Sequence, residues 1–311
     1  MEKTAYLFPG QGAQTVGMGK DLYDAYPRAR DLFHRASEQL DFDLIALCFS
    51  GPEERLAETQ FSQPAILVTS VAFLDVARNE TRLQATKPVA CAGLSLGEYT
   101  ALTFAGALRF EDAVRLVYRR GRAMAAAAEE REGSMLSVIG LNENQIVSIV
   151  EEASSAGVIT AANFNSPEQI VLSGEPAALV EAEKLAKEME ARMTVTLKVS
   201  GAFHSELMQS AADDLVTALA EIEVSRPQVP VISNVAADYV SHPDQIRELL
   251  VRQLTHPVKW CQSMQKLLAD GVNHFYEIGP GRVLAGLMRR IDRTLPVQSL
   301  NSLAALKKLG E

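Results

Sequence analysis

The sequence has little cysteine, no long apolar run and no excess of positive charge, and each shortage excludes something. Its three cysteines, Cys48, Cys91 and Cys261, lie far apart and lack the paired spacing of a zinc site or a disulfide framework. They read as core thiols of a protein kept in a reducing compartment. Hydrophobic residues make up 47% of the chain, yet no run approaches the roughly 20 apolar residues of a membrane helix. No membrane partner is expected. Met1 leads directly into a strand-like segment without the apolar stretch of a signal peptide, so the expected location is the cytoplasm. A net charge of −9 argues against nucleic acid as a partner, because phosphate backbones need concentrated positive charge. The histidines and acids do not fall at metal-ligand spacings, so no metal site is expected.

What is present is an alternation of short β-like runs with amphipathic stretches. Thr4 to Phe8, Pro88 to Ala92, Val229 to Ser233, His274 to Ile278 and Pro296 to Leu300 are the candidate strands of an α/β core with a mainly parallel sheet. Between residues 131 and 200 the rhythm becomes strand (Met135 to Leu141), helix (Glu143 to Ala153), strand (Val158 to Phe164), strand (Gln169 to Ser173), helix (Ala177 to Met189) and strand (Thr194 to Val199). This βαββαβ order is that of a ferredoxin-like unit. It is expected as a small insertion (131–200) in a larger domain formed by 1–130 and 201–311, with a cleft between them.

The strongest local signal is Gly93-Leu94-Ser95-Leu96-Gly97, set between a candidate strand and a good helix opening. A G-x-S-x-G turn in that context presents the serine at a helix N-terminus as a nucleophile; the plainer reading is a glycine-flanked helix cap. Serine is a weak nucleophile without a base, so the five histidines are the candidates. His34 lies in a polar helical stretch, His242 in a surface turn, and His274 at a strand start. His256 precedes Pro257 in a loop and stays open as a base. His204, in the loop Val199-Ser200-Gly201-Ala202-Phe203-His204-Ser205 that returns the chain to the large domain, is the better placed.

Phe8-Pro9-Gly10-Gln11-Gly12 forms a glycine-rich turn after the first strand, where the Gln11 N–H, with that of Leu96, could form an oxyanion hole. It lacks the lysine and hydroxyl residue of a phosphate-binding Walker loop. Arg120 lies in a cluster with Arg115, Arg119 and Arg122. The cluster reads either as a solvated helix face or as a local field for an acidic partner, and Arg120 alone as a surface cation or as a bidentate carboxylate clamp.

In their order these segments resemble the malonyl-CoA:acyl carrier protein transacylases and the acyltransferase domains of polyketide and fatty acid synthases, over essentially the whole chain. The segments concerned are Phe8 to Gly12, Gly93 to Gly97, Arg119-Arg120-Gly121, Gly201 to Ser205, Val251 to Leu254 with Pro257 to Trp260, and Glu277 to Gly281. The resemblance implies an α/β hydrolase-like large domain with a ferredoxin-like insertion. It implies Ser95 as nucleophile, His204 as base, Gln11 and Leu96 as oxyanion donors, Arg120 as the malonyl carboxylate's partner, and the Gln253 carbonyl as the group that orients the base. It further implies a ping-pong reaction with malonyl-CoA as acyl donor, a phosphopantetheinylated acyl carrier protein as acceptor, and no bound cofactor. A monomer is the default expectation. An acyl hydrolase built on the same Ser-His pair is the alternative.

One departure is plain: the family's usual G-H-S-x-G has Leu94 in place of the histidine, which removes a hydrogen-bonding side chain beside the acyl site. Such elbows resemble those of some discrete acyltransferases of polyketide assembly lines. Phe203, before the base, resembles the bulky residue of malonyl-selective members, where it would crowd an α-methyl group.

Overall fold

The computed structural model describes residues 2–310. A six-stranded sheet forms its centre, with the strands side by side in the order Val297–Leu300, His274–Ile278, Thr4–Phe8, Ala90–Gly93, Val231–Ile232 and Tyr239–Val240. The strands are β1 (Thr4–Phe8), β2 (Ala90–Gly93), β7 (Val231–Ile232), β8 (Tyr239–Val240), β9 (His274–Ile278) and β10 (Val297–Leu300). All neighbours run parallel except β7 and β8, which pair antiparallel at the edge. The anticipated parallel strands are therefore present. Val229 to Ser233 contracts to two residues because Pro230 has no N–H to give a ladder. The two-residue β8 carries too little alternation to be seen in sequence.

Period-2 alternation divides the buried residues of β1 between two cores. Tyr6 and Phe8 face a layer built on the helices Thr59–Glu80, Phe110–Glu130 and Gln209–Ala220, while Ala5 and Leu7 face one built on Trp260–Ala269 and Val283–Ile291. A strand buried on both faces loses the polar alternation of a half-exposed one, which is why Ala5 to Phe8 reads as a continuous apolar run. Each large side chain so enclosed, such as Leu7 at 0% exposure, contributes about 2 kcal/mol of burial free energy.

A second sheet is antiparallel, in the order β4-β5-β3-β6, from β3 (Ser134–Ile139), β4 (Ile159–Ser166), β5 (Gln169–Gly174) and β6 (Met193–Thr196). The helices Glu143–Ala153 and Pro176–Glu188 fall between β3 and β4 and between β5 and β6. They bury Ile146, Ile149, Leu179 and Leu185 against Leu136, Val138, Ile170 and Leu172. The first starts with a capping box: Gln145 N–H donates to Asn142 Oδ1 at 3.1 Å and Asn142 N–H to Gln145 Oε1 at 3.1 Å. The opposite face of this sheet, with Met135 and Val171, joins the larger core. Val258 ties the two parts, donating to Ala162 O at 2.8 Å and accepting from Phe164 N–H at 2.9 Å. Among the described residues, no helix is long and apolar enough to cross a membrane.

Candidate active site

The C-terminal ends of β1 and β2 open on the cleft between the two sheets, and each ends in a glycine-bearing turn. A Cβ on Gly93 would come within 1.9 Å of the Gly97 carbonyl, and one on Gly97 within 2.1 Å of the Phe8 carbonyl oxygen. The G-x-S-x-G spacing is thus dictated by backbone packed on backbone, which only glycine permits. Ser95 sits at the bend with φ 49° and ψ −102°, a conformation a side-chain-bearing residue holds only when its surroundings over-determine it. They do so here. The Ser95 N–H donates to Asn234 Oδ1 at 2.6 Å, Asn234 Nδ2 donates to Gly93 O at 2.7 Å, and Gln253 Nε2 donates to Ser95 O at 3.1 Å.

Ser95 Oγ lies 2.9 Å from His204 Nε2, and His204 Nδ1 lies 2.6 Å from the Gln253 carbonyl oxygen. A carbonyl only accepts, so Nδ1 carries the proton and Nε2 presents its lone pair to the serine. Burial, helped by the positive field of Arg120 and opposed by the bond to Gln253, pushes the His204 pKa down to about 4. The ring is neutral at pH 7 and ready to accept a proton.

Arg120 is almost wholly buried, at 1% exposure. Its Nη1 donates to Gln63 Oε1 at 2.7 Å, and its Nη2 to Gln253 Oε1 at 2.9 Å and to Ser95 Oγ at 3.2 Å. Its guanidinium also lies 5.2 Å from the Tyr99 ring centroid. All of these partners are neutral, an arrangement that favours the arrival of an anion. Burial draws the Arg120 pKa below its ordinary value, against the pull of Tyr99 and Glu98.

Gln11, Leu94, Ser95, Leu96, Arg120, Phe203 and His204 all line one cavity of about 440 Å³. The Gln11 side chain turns to Thr59 Oγ1 at 3.1 Å. Leu94 packs against the second core, so Gln63 and Gln253, rather than residue 94, hold the guanidinium. Gln253 stands behind the nucleophile and is fully buried; its roles run through the histidine, the arginine and the serine backbone.

The other histidines are engaged elsewhere. His34 meets Tyr23 OH at 3.0 Å, His242 accepts from Asp244 N–H at 3.4 Å, His274 faces Glu2 at 3.9 Å, and His256 meets the Arg252 carbonyl at 3.1 Å. His256, still open from sequence, is thus outside the cavity lining. The arginine cluster does not form one patch: Arg115 and Arg119 pair with Asp112 and Glu221, Arg122 lies 4.0 Å from Asp41, and Arg120 points into the core. Helical periodicity separates them.

Three site residues escaped the sequence reading: Gln63, Asn234 and Glu98. Gln63 and Asn234 lie in no motif, and only tertiary packing brings them to the serine. Glu98 had a signal, an acid in the first turn of the helix after Ser95, but that position is equally served by the helix dipole. Glu98 is 2% exposed and accepts from Gln253 Nε2 at 2.6 Å and from Asn234 N–H at 3.1 Å.

Residues 5–308 match the model of the acyl transferase domain family. The malonyl CoA-acyl carrier protein transacylases of Escherichia coli K12 and Bacillus subtilis 168 are each 44% identical, over 98% of this chain and 98% of the protein in the first case and 95% and 92% in the second. The solved malonyl CoA-acyl carrier protein transacylase of Coxiella burnetii superposes with a TM-score of 0.94 at 42% identity, covering 100% of this chain and 98% of that one. A malonyl-transacylase solved in complex with a type II polyketide acyl-carrier protein superposes with a TM-score of 0.94 at 40% identity, covering 99% of each chain. With identity sustained from end to end on a common fold, the chain belongs to the acyl transferase family and, within it, to the malonyl CoA-acyl carrier protein transacylases.

Proposed function

We propose that the chain transfers malonyl groups from malonyl-CoA to the phosphopantetheine thiol of an acyl carrier protein through an acyl-enzyme on Ser95. The observation that carries this reading is the continuous chain Gln253 O, His204, Ser95 Oγ, with the buried Arg120 guanidinium 3.2 Å from the nucleophile. His204 Nε2 takes the hydroxyl proton as Oγ attacks the thioester carbonyl, and the amides of Gln11 and Leu96 receive the developing oxyanion. The C–S bond then breaks, and the proton passes from His204 to the departing CoA sulfur. The carrier thiol repeats these steps in reverse order of partners. Arg120 holds the distal carboxylate bidentately, a fit that a guanidinium makes better than an ammonium. Nucleophile, base, oxyanion donors and clamp all come from the chain, so the chemistry needs no cofactor.

Arg192, Arg289, Arg290 and Arg293 line a depression that shares Gln169 with the active-site cavity. These arginines, in the depression beside the cavity, suit the phosphates of coenzyme A and the acidic carrier protein. Residues 131–200 are read as a small inserted domain and 1–130 with 201–311 as the large one, so that the cleft lies between domains. Three separate buried thiols suit the cytoplasm as its location.

Hydrolysis of acyl groups by the same pair is the rival. A purely apolar acyl chain would leave the Arg120 guanidinium facing the pocket without a directly bound anion, which is costly. The deciding experiment is intact-protein mass spectrometry after brief exposure to malonyl-CoA, followed by addition of the carrier protein. A malonyl adduct on wild type, absent from Ser95→Ala and discharged onto the carrier, is the expected result. An adduct that only water removes would establish the hydrolase instead.

A further inference from the structure

We propose that Glu98 is the resident counter-charge of Arg120 and, through the Gln253 amide, a positioning residue whose charge weakens the binding of acyl groups bearing a carboxylate until it is neutralised by a proton taken up with them. The proposal rests on the reading of Arg120 as the carboxylate clamp.

Glu98 and Arg120 are both buried, yet they do not touch. Between them stands one amide: Gln253 Nε2 donates to Glu98 Oε2 at 2.6 Å, and Gln253 Oε1 accepts from Arg120 Nη2 at 2.9 Å. The chemistry of the two ends fixes the amide's orientation, because a guanidinium can only donate and a carboxylate only accept. With the side chain so pinned, the Gln253 backbone carbonyl is held against His204 Nδ1 and Nε2 of the same amide against Ser95 O. A direct Glu98–Arg120 pair would fill the guanidinium fork and compete with substrate. An interposed amide lets Glu98 offset the buried positive charge while the guanidinium's own partners, Gln63, Gln253 and Ser95, stay neutral and can yield to an incoming anion.

The arrival of a malonyl carboxylate puts two anions beside one cation. Glu98 then binds a proton more readily, so malonyl loading is coupled to proton uptake and acetyl loading is not. The groups facing Glu98 are Arg120 from the helix Phe110–Glu130, Tyr99 on its own helix, and His204 beyond Gln253. Burial pushes the Tyr99 pKa up to about 12, while the His204 pKa lies at about 4. Glu98, which burial raises to about 7 against the lowering effect of its hydrogen bonds and Arg120, is the member of this set poised to titrate near neutrality.

The test combines Glu98→Gln, which keeps the acceptor and removes the charge, with proton uptake by the wild type. Acylation of Ser95 by malonyl-CoA and by acetyl-CoA is followed at pH 7.5 by calorimetry in two buffers of different ionisation enthalpy. The coenzyme A thiol released is common to both reactions and cancels in the comparison. Expected are extra proton uptake with malonyl-CoA in wild type and its loss in Glu98→Gln. The variant's KM for malonyl-CoA, relative to that for acetyl-CoA, should fall by about threefold at pH 7.5 and approach tenfold at higher pH, as one pKa unit of coupling to a group of pKa about 7 requires. Equal proton uptake for the two substrates, an unchanged or raised malonyl KM, or parallel shifts for both substrates would overturn the proposal. If Glu98→Gln does not fold, the wild-type proton difference decides alone. A wild type that acquires no malonyl group on Ser95 would instead overturn the underlying reading of the site.

Discussion

His204 Nδ1 and the Gln253 carbonyl oxygen stand 2.6 Å apart, so the base of this site is oriented by a neutral backbone group and not by an acid. A carboxylate there would raise the imidazole's proton affinity. A carbonyl supplies direction with little charge, and burial then dominates, taking the His204 pKa to about 4. The rate of Ser95 acylation is therefore expected to lose its base only as the pH approaches 4, not near the ordinary 6.5 of histidine. A pH series of kcat/KM reads this directly. An acid limb at 6.5 would show that the imidazole is solvated during turnover. In Arg120→Ala the limb should move upward, because the positive field of Arg120 is the second cause of the depression.

Glu98 and His204 are displaced in opposite directions, which has a consequence for stability. His204 has a folded pKa below its unfolded value, so the unfolded chain binds its proton first and stability is lost as pH falls from 6.5 toward 4. Glu98 has a folded pKa of about 7, above its unfolded value of 4.5, so its proton favours the folded state over nearly the same range. Each effect is on the order of 3 kcal/mol. They oppose one another, and thermal melts of the wild type should show little pH dependence from this site between 4.5 and 6.5. Glu98→Gln should expose the histidine, with a Tm that drops as the pH is lowered through that window. His204→Ala should show the reverse. Parallel pH dependence in both variants would refute the assignment.

Arg120→Ala tests the clamp. The substitution removes the anion's partner and strands the Gln63 and Gln253 carbonyls, so malonyl transfer should fall by about 3 kcal/mol, roughly a hundredfold in kcat/KM. Acetyl transfer, which has no carboxylate to lose, should fall far less. Single-turnover loading with the two coenzyme A esters separates the cases, and equal losses would remove the clamp.

The fold and the reacting pair were readable because each depends on local pattern. Buried parallel strands force continuous apolar runs, and a nucleophile at a sharp bend forces glycines at fixed spacing, as Gly93 and Gly97 do. The supporting shell was not readable. Gln63 lies mid-helix and Asn234 in a loop, both far from Ser95 in sequence, and an amide carries no sign of its partner until packing supplies one. The arginine run left its alternatives open: four cations within eight residues fit a solvated face, a local field or an inward clamp at Arg120, and a 3.6-residue period sends Arg120 inward and its neighbours outward to Asp112, Glu221 and Asp41.

Gly97→Ala tests the backbone contact on which the elbow depends. The added methyl would meet the Phe8 carbonyl oxygen at 2.1 Å, backbone that cannot rotate away, so β1 and the helix Leu96–Phe104 must separate. Overpacking of this kind costs about 3 kcal/mol. A Tm lower by several degrees is expected, with transferase activity lost even in the folded fraction, because the displacement carries Leu96 N–H and Ser95 together. Gly286→Ala, inside the helix Val283–Ile291 where nothing lies within 4 Å of the added carbon, is the control and should leave activity unchanged and raise stability by up to about 1 kcal/mol, alanine being the better helix former.

Phe203→Ala addresses the choice between malonyl and α-substituted donors. Phe203 directly precedes the base, is 5% exposed, and contributes to both the large core and the wall of the cavity. Removing its ring opens the wall beside the α-carbon of a bound acyl group. One methyl in such a pocket is worth about 1–3 kcal/mol, so the preference for malonyl-CoA over methylmalonyl-CoA should relax by roughly tenfold or more. The measurement is the ratio of kcat/KM for the two donors with the same carrier protein. The ratio is protected against the expected loss of about 3 kcal/mol of stability, because both donors meet the same folded fraction. A ratio that stays fixed while stability falls would leave Phe203 as core packing alone and transfer the selectivity to Leu94 and the residues around Arg120.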